Sequence, residues 1–141
     1  MRKQRIYISG AMTAPTQEEQ ARNVQAFHDC ATLLRASGFR PVNPANAWPC
    51  RRAWLYRLIE RLLGEDGAYR TVLVYDLWLL SRSDTICMID GWQLSRGAKI
   101  EGDFAFRLGI VRSHTYDPKQ QKLMPFQKGK KKHKLETSNK E

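Results

Sequence analysis

Residues 5–44 read RIYISGAMTAPTQEEQARNVQAFHDCATLLRASGFRPVNP, and the fold class follows from them. Arg5-Ile6-Tyr7-Ile8-Ser9 is a short β-prone run closed by Gly10, the pattern of a buried first strand. Thr16 and Glu19 then carry the capping-box spacing Thr-x-x-Glu at a helix start. Val24, Phe27, Ala31 and Leu34 follow at steps of three, four and three, a single apolar helical stripe. Gly38 stands where a helix-terminating left-handed residue belongs. Phe39-Arg40-Pro41-Val42-Asn43 is a second short strand, stopped by Pro44. Strand, helix, strand is a βαβ unit, which predicts a parallel sheet.

The rest of the chain extends this alternation. Arg52 to Leu63 carries apolar residues at helical spacing and ends at Gly64. Thr71 to Tyr75 is β-prone, but Asp76 to Leu80 does not alternate; pattern alone divides this stretch evenly between helix and strand. Helix is favoured because Asp84 to Asp90 is the stronger strand, apolar on both faces as a central parallel strand should be. Ser95 opens a helix through Leu108, with Ile100, Phe104 and Leu108 expected inward. Ile110-Val111-Arg112 is expected as a fourth strand after Gly109. These elements predict an open, doubly wound α/β layer. Its ligand belongs beyond the carboxyl ends of the strands, so the loops Ser9-Gly10-Ala11-Met12 and Asp90-Gly91-Trp92 should face one cleft.

The 141 residues support one domain, with 42% hydrophobic residues arguing against disorder. No apolar run approaches the ~20 residues of a membrane span. The short apolar run after Met1-Arg2-Lys3-Gln4-Arg5 does not read as a secretory signal. Cys30, Cys50 and Cys87 fit no metal spacing and read as reduced thiols of a cytoplasmic protein. Net charge is +10, and residues 117–141 hold eight lysines against three acids, half of that excess. The domain is therefore expected over 1–116, with a basic, disordered tail over 117–141. Either the tail is a solvated end, or Lys128 to Lys134 touches nucleic acid weakly and without reading sequence.

Several residues have the chemistry to act in the cleft. The small-residue Ser9–Met12 loop admits an anion or sugar to its backbone, although any tight βα turn needs glycine too. It matches neither GxGxxG nor a phosphate-binding Walker loop. Ser95 is a natural N-cap, and free N–H groups behind it favour phosphate. Gly97 leaves room for a ligand and shares a helix face with Glu101. Glu101 either points inward, where a carboxylate needs partners or a task, or pairs at the surface with Arg96 or Lys99. Asp76 is either a helix-surface residue or a cleft group. Asp84 reads as a strand cap and Asp103 as solvated. Trp48 and Trp92 are either core aromatics or flat platforms for a base. His28 and His114 have no partner at catalytic or metal-binding spacing, so no metal site is expected.

Taken together, Ile6-Tyr7-Ile8-Ser9-Gly10-Ala11-Met12, Asn23 to Leu34, Gly38, Pro41-Val42-Asn43-Pro44, Asp76, Asp84 and Gly91-Trp92…Ser95-x-Gly97-Ala98-x-x-Glu101…Ala105…Gly109 resemble the phage and bacterial DUF4406 proteins. These belong to the nucleoside 2-deoxyribosyltransferase-like superfamily, and the resemblance runs from Arg5 to Val111. It implies a flavodoxin-like Rossmannoid fold, an open parallel sheet of about five strands with helices on both faces. It also implies an enzyme that cleaves or exchanges an N-glycosidic bond. Glu101 matches the family nucleophile, Tyr7 the tyrosine that orients it, and Asp76 the aspartate that contacts the base. Ser95 follows the deoxynucleoside 5′-monophosphate hydrolases, which carry serine where nucleoside transferases carry aspartate. Asp90-Gly91-Trp92 departs from both subgroups.

The expectation is therefore cleavage or base exchange on a 2′-deoxynucleoside 5′-monophosphate. Glu101, Asp76 and Tyr7 would be catalytic, and Ser9, Gly10, Ala11, Met12, Asp90, Gly91, Trp92, Ser95 and Gly97 would bind substrate. Neither cofactor nor metal is required. The resemblance further implies a homodimer or larger homo-oligomer, with no membrane association. Two rivals are an NAD-type glycohydrolase and a catalytically inactive module that binds nucleotide or nucleic acid.

Overall fold

The computed structural model describes residues 2–46 and 53–127. Strand β1 (Arg5–Ser9) leads through a loop to helix α1 (Gln17–Ala36). The Glu19 N–H donates to Thr16 Oγ1 at 3.2 Å, so the expected cap forms. Strand β2 (Arg40–Val42) follows. Helix α2 (Ala53–Ser81) is broken at Gly64, where φ is +76° and ψ 173°. Only glycine adopts that combination readily, so the Gly64 stop divides α2 into two helical stretches. The ambiguous residues 71–80 are helical. Strand β3 (Thr85–Ile89), helix α3 (Arg96–Arg107), and strands β4 (Arg112–Asp117) and β5 (Lys122–Pro125) complete the body.

The sheet runs β2-β1-β3-β4-β5. The first four strands are parallel, and β5 returns antiparallel to β4. This is the α/β architecture expected, an open and mostly parallel sheet. Strand β3, buried at all five residues, is central. On one face, Ile6, Ile8, Cys87, Ile89 and Tyr116 pack under α1 through Phe27, Cys30, Ala31 and Leu34. On the other, Tyr7, Ile86 and Met88 pack with Leu80 of α2 and Ala105 of α3. The register sets Tyr7 beside Ile86 and Ser9 beside Met88. Cys30 and Cys87 are free thiols, with sulfurs 3.7 Å apart in the α1-side core. The contact with Cys30, then burial, push the Cys87 thiol up.

Three details differ from expectation. Strand β4 starts at Arg112, because Gly109 and Ile110 still complete the turn that ends α3; the Ile110 N–H bonds the Ala105 carbonyl at 2.8 Å. Leu108 is exposed, because it caps α3 and lies past the last turn that faces the sheet. Strand β5 falls within the segment that charge alone assigns to a tail. Leu123 and Met124 pair there with Tyr116 and Thr115, so the body extends past residue 116. Trp48, Cys50 and the Lys128–Lys134 run lie outside the described residues. No described helix is long and apolar enough to cross a membrane.

Candidate active site

Strand alternation and helical spacing together build the site. On β1, residues 7 and 9 share one face of the pleat and point to the α2–α3 side. On α3, Ala98, Glu101 and Ala105 recur at steps of three and four and form the buried face of the helix. Ser95 starts that helix: its Oγ accepts from the Ala98 N–H at 3.3 Å. Glu101 therefore turns inward and is only 7% exposed. The buried Ser9 hydroxyl donates to Glu101 Oε1 at 3.3 Å. The fully buried Tyr7 hydroxyl also draws the Glu101 carboxyl toward its charged form.

Asp76, on the second stretch of α2, is close enough for its charge to act on Glu101. Burial pushes the Asp76 carboxyl up to about 7. Glu101 is pushed up to about 8, first by burial and further by the Asp76 charge, with the Tyr7 and Ser9 hydrogen bonds pulling the other way. Asp76 Oδ1 and Glu101 Oε2 are both sealed from solvent without a partner at hydrogen-bonding distance. With both carboxyls pushed up by burial, each has its protonated and its ionised form within reach near neutrality. An ionised Glu101 can then accept and a protonated Asp76 donate, with both atoms enclosed by protein. That is the requirement for a nucleophile paired with a general acid.

The other residues expected at the site divide into two groups. Ala11, Asp90 and Gly91 line a cavity of about 760 Å3 with Thr13, Arg22 and Lys119, so the two expected loops do face one space. That cavity lies over the α1 side of the sheet, and Glu101 is not among its lining residues. Met12 packs against the α1-side core. Ser9 is fully buried and serves Glu101 rather than an open loop. Gly10 is required by packing: a Cβ there would stand 2.9 Å from the Ile89 Cβ. Trp92 is half-buried, with the Arg112 guanidinium carbon 5.3 Å from its ring centre. Phe126 receives the same cation at 4.4 Å, so Trp92 is held in a packed stack rather than as an open platform. A Cβ at Gly97 would make ordinary contact with the Tyr69 hydroxyl at 3.6 Å, so sterics alone do not demand glycine.

The remaining polar residues are structural. Asp84 accepts from the Arg5 N–H at 2.8 Å and pairs with Arg2 at 3.2 Å, which ties the chain start to β3. Asp103 pairs with Arg107 at 3.0 Å in water. His28 lies 3.2 Å from the Asn43 amide, and His114 bonds Ser113 at 2.9 Å. No group of three His, Cys, Asp or Glu side chains suited to a metal ion occurs among the described residues.

Residues 4–112 match the family model described as Domain of unknown function (DUF4406). No curated protein matches the chain.

Proposed function

The chain belongs to the DUF4406 family, and from its paired carboxylates we propose that it cleaves or exchanges the N-glycosidic bond of a 2′-deoxynucleoside 5′-monophosphate. The observation that carries this reading is the buried Glu101 carboxylate, bonded by the Ser9 hydroxyl and within electrostatic reach of Tyr7 and Asp76. Likeness to the nucleoside 2-deoxyribosyltransferases is part of the same proposal, as is a cytoplasmic location beside the nucleotide pool.

Breaking the bond from C1′ to the base nitrogen passes through an oxocarbenium-like state. As positive charge grows at C1′, the anionic form of Glu101 is favoured, and two hydroxyl donors already favour that form. A proton held by Asp76, whose carboxyl is pushed up to about 7, passes to the departing base. A Glu101 oxygen closes on C1′ and gives a glycosyl ester. Water, or a second base, gives its proton to the now ionised Asp76 as it attacks the same carbon, and the C1′–O bond to Glu101 breaks, giving hydrolysis or exchange. The residues present supply both proton and nucleophile. The Ser95 hydroxyl uses a lone pair as helix cap and keeps its hydrogen to donate to a 5′-phosphate at the start of α3.

The test is a chromatographic screen of canonical and modified deoxynucleoside monophosphates for free base, with NAD as a separate arm. Release from a monophosphate that disappears in Glu101→Ala is the expected result. Nicotinamide release from NAD alone would redirect the substrate reading. Equal release by wild type and variant would refute the role of Glu101.

A further inference from the structure

Hydrogen-bond donors from two helices converge on Gly97. Tyr69, in the second stretch of α2, reaches across to the start of α3, where its hydroxyl lies 3.6 Å from the point that a Cβ on Gly97 would occupy. The Ser95 Oγ lies 4.0 Å from the same point. A side chain at position 97 would stand between the two hydroxyls, and glycine leaves that gap open. The first N–H groups of a helix have no carbonyl within it to bond, so those of Arg96 and Gly97 are left at this end. Arg96 adds a full charge, its guanidinium carbon 5.6 Å from the centre of the Tyr69 ring.

Charge selects an anion for this gap. Arg96 forms no ion pair among the described residues, although Glu65 and Asp66 precede Tyr69 by only one turn of α2. A cation held by an aromatic face alone, beside two hydroxyls and a helix N-terminus, suits a phosphate, which takes a planar guanidinium and several O–H and N–H donors at once. A second observation lies along the same helix face. Glu101 follows Gly97 by four residues, one turn or ~6 Å further on. Its side chain is only 7% exposed, and its Oε2 has no partner at hydrogen-bonding distance. Donors at one end and an unsatisfied carboxyl at the other fit a phosphorylated pentose laid along the helix, phosphate at Gly97 and ring toward Glu101.

We infer that Tyr69 and Arg96 are binding residues of the candidate site. With Ser95 they clamp a 5′-phosphate in front of the bare backbone of Gly97, and so select a nucleotide over its nucleoside. That the phosphate belongs to a nucleotide rests on the functional reading above. The clamp goes beyond that reading, because it brings a second residue of α2 into the site and gives the unpaired Arg96 a ligand. Contacts to phosphate do not read the base, so the selection should be the same for every base.

Titration calorimetry tests the clamp, with each canonical deoxynucleoside 5′-monophosphate set against its own nucleoside. The full chain carries Glu101→Gln, so that neither ligand is consumed. This parent should bind the monophosphates at least ~10-fold more tightly than the nucleosides. Adding Arg96→Gln should weaken the monophosphates by roughly 10–100-fold. Tyr69→Phe keeps the ring beneath Arg96 and removes only the hydroxyl, so it should weaken them by about 5–10-fold. Nucleoside binding should stay within about twofold in both variants, since neither side chain meets the sugar or base. Arg96 is exposed and Tyr69 is 36% exposed, so far-UV circular dichroism should be unchanged. Three results overturn the clamp: no preference for monophosphates in the parent, equal loss of both ligands in the variants, or unchanged monophosphate binding in both. The two readings fail separately. Phosphate-selective binding without base release by the wild type counts against the glycosidase alone. Base release from a monophosphate, with discrimination unchanged in the variants, counts against the clamp alone.

Discussion

Ile6 and Ile8 of β1 turn toward α1, where they meet Phe27, Leu34 and the Cys30–Cys87 pair in a wholly apolar setting. Tyr7 and Ser9, their neighbours on the same strand, turn toward α3 and meet a carboxylate. One sheet thus separates two environments by the parity of residue number. The α1 face removes apolar area from water and satisfies its backbone within the sheet. The α3 face buries two carboxyl groups whose charge that burial disfavours. Buried polar groups of this kind are retained where they have a task, and they commonly lower stability in return. The comparison teaches that one five-residue strand presents a packing face on one side and the polar face of the candidate site on the other.

The comparison is tested most severely at Glu101. Glu101→Gln should reduce base release from a deoxynucleoside monophosphate by ~1000-fold or more, read in single-turnover assays. The same change should raise stability at pH 8 by about 1–2 kcal/mol, read from urea midpoints. The sign follows from the raised carboxyl values. Folded Asp76 and Glu101 keep protons that the unfolded chain releases between about pH 4 and 8. Wild-type stability therefore falls as pH rises through that window, and the variant should fall less. If Glu101→Gln is less stable at pH 8 than wild type, the α3 face is not strained in the way described.

Leu34→Ala acts on the opposite face. It should lower stability by about 3 kcal/mol, because the side chain is fully buried between α1 and the sheet. Its kcat per folded molecule should remain that of wild type. A parallel loss of kcat would show that the two faces are not separable. The smallest effects sharpen the comparison within β1. Tyr7→Phe should lower kcat by ~10–100-fold, and Ser9→Ala by a few-fold. The pH profile should be bell-shaped, since activity needs Glu101 ionised and Asp76 protonated. Each hydroxyl donor stabilises the charged Glu101, so removing either one should move the acid limb to higher pH. A purely structural role for these hydroxyls would leave the limb in place.

Much of this was readable in the sequence, for definite reasons. The βαβ unit was legible because Thr16, the Val24–Leu34 stripe and Gly38 all indicate the same helix limits. Residues 71–80 were not, because apolar side chains crowd every side of that stretch and erase its period. The sequence leaves Glu101 between an inward and a surface placement, because Ile100 and Phe104, expected inward, are one residue off the Ala98–Glu101–Ala105 line, and Leu108, on that line, falls at the helix cap. Ser9 reads both as the last residue of the first strand and as the start of the Ser9–Met12 loop, and its two-residue separation from Tyr7 sets both on one side of the pleat. Strand β5 was hidden because Lys122 and Pro125 bracket only Leu123 and Met124, too short an apolar run to stand out from a lysine-rich segment. Trp92 looked like a base platform because its stacking cation, Arg112, lies twenty residues away in the chain.

The close approach of Gly10 to Ile89, only 2.9 Å from where a methyl would sit, carries a consequence for how variation at this position reads. In a saturation library, position 10 would appear as intolerant as the buried acid on α3, since any side chain there wedges β1 from β3 and draws Ser9 off its carboxylate. A scan scored on turnover alone would then record a spacer as though it were a reagent. Only the loss of substrate processing together with thermal resistance at position 10, against their divergence at Glu101, tells the two apart.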